Sequence, residues 1–328
     1  MPLASRPTPD AAAYCIMERM KNPAESGAYE SQELLEERLD RLDAALTELT
    51  QEIRALRDGQ RLLREVDARV ESLVRMHVLD RRDLPYPYRL TANRFRIRSQ
   101  RGEDGVLAAI FEEIGVKHRR FVDLGCGDNG GNSGYLAADL GWTGLMVDGS
   151  KDAIGRLRRE FNSRNVAVKQ AWITREDIDD LLTKFGGGGK VDLLSIDIDG
   201  NDIWVWDAIS ECLPRVVCVE YNTILGPERS VAVPYSPAFE RDPRLLFGRY
   251  FGASLAALER IGRRKGYRLV AVENVNAFFV RRGVGRRVPA APVPLAYRLY
   301  EKDARYLDRL GDVYAAFERE GLELVEVA

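Results

Sequence analysis

The sequence predicts an α/β fold: a mostly parallel, seven-stranded sheet with helices on both faces, preceded by a long coiled-coil helix. Three observations predict it. From Arg89 onward, amphipathic stretches alternate with short apolar runs bounded by glycine or acidic residues, as in a sheet whose parallel strands are joined by helical crossovers. One of these runs, Phe121-Val122-Asp123-Leu124, leads straight into a turn carrying Gly125, Gly127 and Gly130, the form of a strand ending at a ligand-binding loop. Ahead of the alternating region, Leu35, Leu39, Leu42, Leu46, Leu49, Ile53 and Leu56 step by four and three, the a/d seam of a heptad helix.

Taken in order, residues 1–30 hold Pro2, Pro7, Pro9 and Pro23 among small and polar residues, without a sustained period, and read as irregular. Residues 31–79 form the helical arm. Its stripe shifts phase after Gly59, where Leu63, Val66, Val70 and Leu73 resume it, as a stutter does. The stripe is narrow and flanked by Glu36, Arg38, Asp43 and Glu52, which favours self-association into a homo-oligomer over packing on the chain's own domain. Pro85 and Pro87 end the arm.

The sheet domain occupies 80–282. A helix is expected over Asp104–Ile114, with strands at Arg120–Leu124, Gly144–Val147, Val166–Gln170, Val191–Ile196 and Val216–Glu220. A helix over Ala253–Lys265 then leads into a closing antiparallel pair, Tyr267–Val272 and Ala277–Arg281. Between Leu225 and Phe251 lies a long insert rich in proline and aromatics, including Tyr235 and Tyr250. Inserts of this length tend to be functional, and its aromatic faces are candidates for covering and binding a substrate. Residues 283–328 read as a proline-bearing linker and one amphipathic helix marked by Leu307, Leu310, Tyr314 and Phe317.

Composition narrows the chemistry. The 49 basic and 51 acidic residues leave a net charge of -2, so no overall field draws the chain to nucleic acid or to an anionic membrane. Four cysteines lie scattered without CxxC spacing, and no apolar run resembles a signal peptide or membrane span, so a cytoplasmic protein is expected. With only two histidines, His77 and His118, a histidine triad or multi-histidine metal site is disfavoured, and a general base is sought among carboxylates.

The glycine turn suits a nucleoside or nucleotide, because a backbone without β-carbons can approach a ligand closely. Gly125-x-Gly127-x-x-Gly130 also satisfies the dinucleotide fingerprint. Asp123 shifts the balance. A carboxylate two positions before the first glycine can accept hydrogen bonds from the ammonium of an aminoacyl group, whereas it would repel a pyrophosphate. Asp148, ending the next strand beside Gly149, can take both hydroxyls of a ribose.

Asp123-x-Gly125-x-Gly127 with Asp148 resembles the signature of Rossmann-like class I S-adenosylmethionine methyltransferases. The resemblance is greatest to FkbM-like members, through Ser99-Gln100-x-Gly102-Glu103-Asp104, Ser195-Ile196-Asp197-Ile198-Asp199-Gly200-Asn201-Asp202 and Val219-Glu220-Tyr221-Asn222. It covers roughly Arg89–Arg281 and excludes the arm and the tail. It implies S-adenosylmethionine as cofactor, with Ala171, Trp172 and Ile173 near the adenine and Gln100, Glu103, Asn132, Gly149 and Asp197 bordering the pocket. A sugar, glycan or glycosylated or polyketide-type acceptor is likewise implied by the resemblance alone.

In an open parallel sheet, ligands sit beyond the carboxyl ends of the strands. Asp197, Asp199, Glu220 and Asn222 should therefore share a cleft with Asp123. Methylation of a hydroxyl needs removal of its proton, and two arrangements could supply that. In one, Asp197, Glu220 and Asn222 hold Mg²⁺, as the resemblance allows. In the other, a carboxylate among Asp197, Asp199 and Glu220 is the base while Tyr221 and Asn222, with Tyr235 and Tyr250 of the insert, hold the acceptor. For Asp202 a role as turn or helix cap suffices. Two rival readings remain at this point: an NAD-dependent oxidoreductase or epimerase using the same glycine loop, and a coiled-coil scaffold whose methyltransferase fold no longer catalyses.

Overall fold

Seven strands form one sheet in the order β3-β2-β1-β4-β5-β8-β7 in the computed structural model, which describes residues 84–161 and 165–328, together with Gly59. The heptad arm, apart from Gly59, lies outside the described residues. The strands are β1 Arg120–Leu124, β2 Thr143–Asp148, β3 Val166–Gln170, β4 Gly189–Ile196, β5 Cys212–Glu220, β6 Val231–Ala232, β7 Tyr267–Glu273, β8 Asn276–Arg281 and β9 Val325–Glu326. β1 to β5 run parallel; β8 pairs antiparallel with both β5 and β7. All seven expected strands are present, including the closing antiparallel pair.

The helices are α1 Tyr88–Thr91, α2 Glu103–Ile114, α3 Gly134–Ala138, α4 Lys151–Phe161, α5 Ile178–Phe185, α6 Asp202–Ala208, α7 Leu255–Arg264, α8 Val293–Ala296, α9 Glu301–Leu310 and α10 Val313–Arg319. Side chains alternate across a strand, so each strand feeds two cores. Val122, Leu124, Leu145, Val147, Leu194 and Ile196 share one core with α5, α6 and α7. Phe121, Met146, Leu193, Val216 and Cys218 share the other with α2, α3 and α4. Helices therefore cover both faces, which is why these strands are apolar throughout.

Two strands begin earlier than the apolar runs suggest. β4 starts at Gly189 and β5 at Cys212, with Gly189 opposite Cys212 and Val191 opposite Pro214. The ladder extends here through backbone pairing, which needs no apolar side chain, and the Pro214 carbonyl is used by the buried Tyr267 hydroxyl at 2.9 Å.

The C-terminal segment is packed rather than strung out. Val288, Ala291 and Ala296 are buried, and the expected single helix is two, α9 and α10, separated at Gly311 with φ 67°. After α10 the chain returns to pair β9 with β6, Val231 opposite Glu326. A small third core joins Val313, Ala316 and Phe317 of α10 to Ile224 and Leu225, which follow β5, and to Val231 and Leu246 of the insert.

Candidate functional site

The parallel register brings the acidic strand ends together. β1 and β4 pair with Asp123 opposite Ser195, and the amide of Asp197 donates to the carbonyl of Leu124 at 2.9 Å. Gly125, at φ 83°, turns the chain immediately against this point. A β-carbon there would lie 1.7 Å from the Asp197 carbonyl oxygen, so only glycine permits the approach. A β-carbon on Gly131 would similarly fall 2.9 Å from an Asp123 carboxylate oxygen.

A two-lobed cleft opens beyond these turns. The first lobe, about 320 Å³, is walled by Gln100, Glu103, Asp123, Gly125, Gly127, Asn132, Asp148, Asp197, Asp199 and Glu220, and also by Arg241, Arg249, Phe251, Tyr300 and Asp303. The second, about 330 Å³, is walled by Gly149, Ala171, Trp172, Ile173, Asn201, Phe239 and Glu240. Both lobes share Gly125, Asp148, Asp197, Asp199 and Arg241. All the residues anticipated at a cofactor site therefore line one continuous surface.

Asp123 is 1% exposed. Its Oδ2 accepts from the amide of Ser133 at 2.9 Å, while Oδ1 has no partner although it is buried. An uncompensated buried carboxylate oxygen costs desolvation energy, and burial pushes this carboxyl up to about 7. A cationic ligand group beside it would reverse that cost. Asp148 accepts from the Gly127 amide at 2.8 Å and the Ser150 amide at 2.7 Å, so one carboxylate both shapes the glycine loop and joins the two lobes. Asn132 is held by Ser195 Oγ at 3.1 Å.

Asp197 and Glu220 end β4 and β5. With Asp202, their carboxylates offer oxygens within 4.8 Å of one another. Burial raises both Asp197 and Glu220 well above the ordinary carboxylate range; neighbouring carboxylates add to it, Asp202 and Asp199 at Asp197 and Asp197 and Asp202 at Glu220, while the Glu220 hydrogen bond opposes the rise at Asp197. Glu220 Oε2 is buried with no hydrogen-bond partner. Asp199 sits at φ 58° and is 3.0 Å from Arg241; a non-glycine residue in that region marks strain held in place by its surroundings.

The Mg²⁺ set expected from the sequence is not assembled. Asn222 is fully buried away from the cleft, donating to the carbonyls of Arg249 at 2.8 Å and Phe251 at 2.9 Å and accepting from the Ile224 amide. Asp202, the third carboxylate actually present, spends its oxygens on the amides of Ile198 at 2.8 Å and Gly200 at 2.9 Å. Those bonds make it the turn cap its position suggested. Asp197 and Glu220 remain as the two carboxylates of this group that line the first lobe.

The substrate-binding candidates also stand elsewhere. Tyr221 is buried, its hydroxyl donating to the Arg298 carbonyl at 2.6 Å. Tyr250 donates to the Glu323 carbonyl at 3.0 Å, and Tyr235 bonds Glu176 and stacks under Arg175. Each fastens one segment to another instead of facing the cavity. The insert does border the cleft, through Phe239, Arg241, Arg249 and Phe251. It is tied down where Trp172 Nε1 donates to the Pro237 carbonyl at 2.8 Å and Asn201 to the Ser236 carbonyl at 2.8 Å.

Arg241, Arg249, Tyr300 and Asp303 were not evident from the sequence. The two arginines sit in an insert whose aromatics dominate its pattern, and the last two precede and open a helix whose polar residues look solvated.

Among solved structures, the chain is similar to an S-adenosylmethionine-dependent methyltransferase from Clostridium acetobutylicum (13% identity, 54% of this chain and 89% of that one, TM-score 0.35). It is also similar to TehB from Haemophilus influenzae (10% identity, 54% and 62%, TM-score 0.35). A third similarity is to the 16S rRNA N2 G1207 methyltransferase of T. thermophilus in complex with AdoMet and guanosine (16% identity, 53% and 41%, TM-score 0.32). No protein-family model and no curated protein sequence matches the chain. The fold is Rossmann-like. The strand order and the helices packed on both faces of the sheet give it this architecture. Among the described residues, no helix is long and apolar enough to cross a membrane.

Proposed function

We propose that this chain is an S-adenosylmethionine-dependent methyltransferase acting on a hydroxyl of a sugar, glycan or glycosylated or polyketide-type product. The observation that carries the reading is Asp123: a buried carboxylate with one unpartnered oxygen, under a glycine turn that no β-carbon could enter, in a lobe joined through Asp148 to a second lobe faced by Trp172 and Phe239. An α-amino group would pair with Asp123, ribose hydroxyls with Asp148, and an adenine ring would lie against Trp172, Ile173 and Phe239. A dinucleotide would instead bring its pyrophosphate to this carboxylate, an unfavourable contact.

Bound there, the cofactor would supply a sulfonium methyl group. The residues supply position and a proton acceptor. Asp197 is raised by burial and by the charges of Asp202 and Asp199, and Glu220 by burial and by the charge of Asp197; two carboxylates this close favour sharing one proton and one negative charge. Such a carboxylate is a stronger base than an exposed one and can take the proton of a hydroxyl as its oxygen attacks the methyl carbon. The methyl–sulfur bonding electrons remain on sulfur, and the acceptor proton ends on the Asp197–Glu220 pair. The largely polar wall of the first lobe supports a hydroxylated acceptor.

The test is isothermal titration calorimetry of the purified protein with S-adenosylmethionine, S-adenosylhomocysteine and NAD, each with and without Mg²⁺. Micromolar binding of the two sulfur compounds, unaffected by Mg²⁺, with none of NAD, is the expected result. Binding of NAD alone would overturn the proposal.

A further inference from the structure

The lining of the first lobe also includes two segments far apart in sequence, the end of the insert and the start of α9. Arg249 and Asp303 stand there side by side, Nη2 to Oδ1 at 2.7 Å. Asp303 is 2% exposed, and its other oxygen accepts from the Thr223 hydroxyl. The pair is nonetheless incompletely used: neither Asp303 Oδ1 nor Arg249 Nε has a well-directed hydrogen bond, although both atoms are buried.

The strip following β5 fixes this pair relative to Glu220. Asn222 holds the Arg249 carbonyl and Thr223 holds Asp303. Tyr297 ties α9's lead-in to the Thr223 carbonyl at 2.7 Å, and Tyr221 ties it at Arg298. Four consecutive residues, Glu220 to Thr223, thus position both the proposed base and the Arg249–Asp303 pair.

We infer that Arg249 and Asp303 form the acceptor-reading subsite, that they recognise adjacent hydroxyls of an uncharged polyol, and that they exclude anionic acceptors. This rests on the methyltransferase reading. A hydroxyl can donate to Asp303 Oδ1 while its neighbour's oxygen accepts from Arg249 Nε, satisfying both atoms at once. A carboxylate or phosphate would find Arg249 already paired and would approach both Asp303 and Glu220, a like-charge contact. Tyr300 and Arg101, joined at 2.7 Å, border the same wall.

The experiment uses the full chain saturated with S-adenosylhomocysteine and an array of neutral methyl glycosides bearing vicinal diols. Matched uronic acids and sugar phosphates are included, and binding is read by saturation-transfer NMR and calorimetry. Neutral glycosides should bind at least about tenfold more tightly than their anionic counterparts, and Asp303→Asn should weaken them by about tenfold and narrow that gap. Arg249→Lys, which keeps the charge but loses Nε, should weaken the neutral glycosides comparably. Equal or tighter binding of the anionic members overturns the assignment. So does unchanged glycoside binding in both variants, or the absence of glycoside binding to the wild type. Failure of S-adenosylhomocysteine itself to bind would instead strike the methyltransferase reading, which separates the two.

Discussion

Replacing Gly125 by alanine tests the construction of the cleft at its tightest point. The native φ of 83° lies in the left-handed region, which costs an alanine about 1–2 kcal/mol. The added β-carbon would stand 1.7 Å from the Asp197 carbonyl oxygen, so the glycine turn and the end of β4 must part by well over an ångström. That separation endangers two backbone bonds, Asp197 N to Leu124 O at 2.9 Å and Gly125 N to Val147 O at 2.8 Å, each worth about 1 kcal/mol. If half to all of this total falls on the binding-competent form, the loss is about 2–4 kcal/mol, or roughly 30- to 1,000-fold in affinity. Calorimetry with S-adenosylhomocysteine reads the affinity, and urea denaturation reads how much of the loss is global. An affinity within about threefold of wild type at unchanged stability would refute the close-approach argument.

Other expectations follow from the same geometry. Asp148→Ala removes the acceptor of the Gly127 amide and the proposed ribose grip together, and should lower S-adenosylhomocysteine affinity by about tenfold to a hundredfold; wild-type affinity by calorimetry would remove the ribose assignment. Gly200→Ala would place a β-carbon 2.2 Å from the Phe239 ring, and should cost about 1–3 kcal/mol by pushing that ring from the second lobe, measured as lost affinity plus lost melting temperature. Glu273 is raised to about 7 by burial, with Glu103 adding to the shift and Arg94 opposing it. A carboxyl whose folded value is raised favours folding while protonated, so its contribution is complete below about 4.5 and is lost as pH rises through about 7. Glu273→Gln should therefore flatten the fall in unfolding free energy across that window by up to about 3 kcal/mol, read by urea denaturation at each pH; a profile parallel to wild type would show that Glu273 is not its source.

The parts of this molecule that were legible in its sequence are those fixed by local pattern. β1 and β3 coincide with their apolar runs, and the glycine turn is legible because its first glycine, Gly125, sits where a β-carbon would collide with the backbone of Asp197. Asp123, Asp148, Asp197 and Glu220 could be placed in one cleft because a parallel sheet aligns its strand ends. Chemistry that depends on tertiary closure was not legible. Tyr221 and Asn222 adjoin Glu220 and look equally functional, yet alternation turns Tyr221 to the opposite face from the glutamate, and Asn222, past the end of β5, is taken up by the Arg249 and Phe251 carbonyls. Asp303 opens α9, where acids ordinarily serve the helix terminus in water. Its burial follows from the way α9 docks on the segment after β5. No pattern within α9 could reveal that contact across 80 residues.

Trp172 has a practical consequence. Trp142 and Trp206 are buried and Trp204 is half-buried, whereas Trp172 is 51% exposed on the wall of the second lobe, beside Gly149. An indole so placed is a built-in optical probe. A purine stacked on it would shield it from water and quench its emission, while the three other indoles supply a steady background. A fluorescence titration could thus follow occupancy of this lobe in real time with unlabelled protein, at concentrations far below those calorimetry requires. An external quencher such as acrylamide would report separately whether the segment around Pro237 lifts away before a ligand enters.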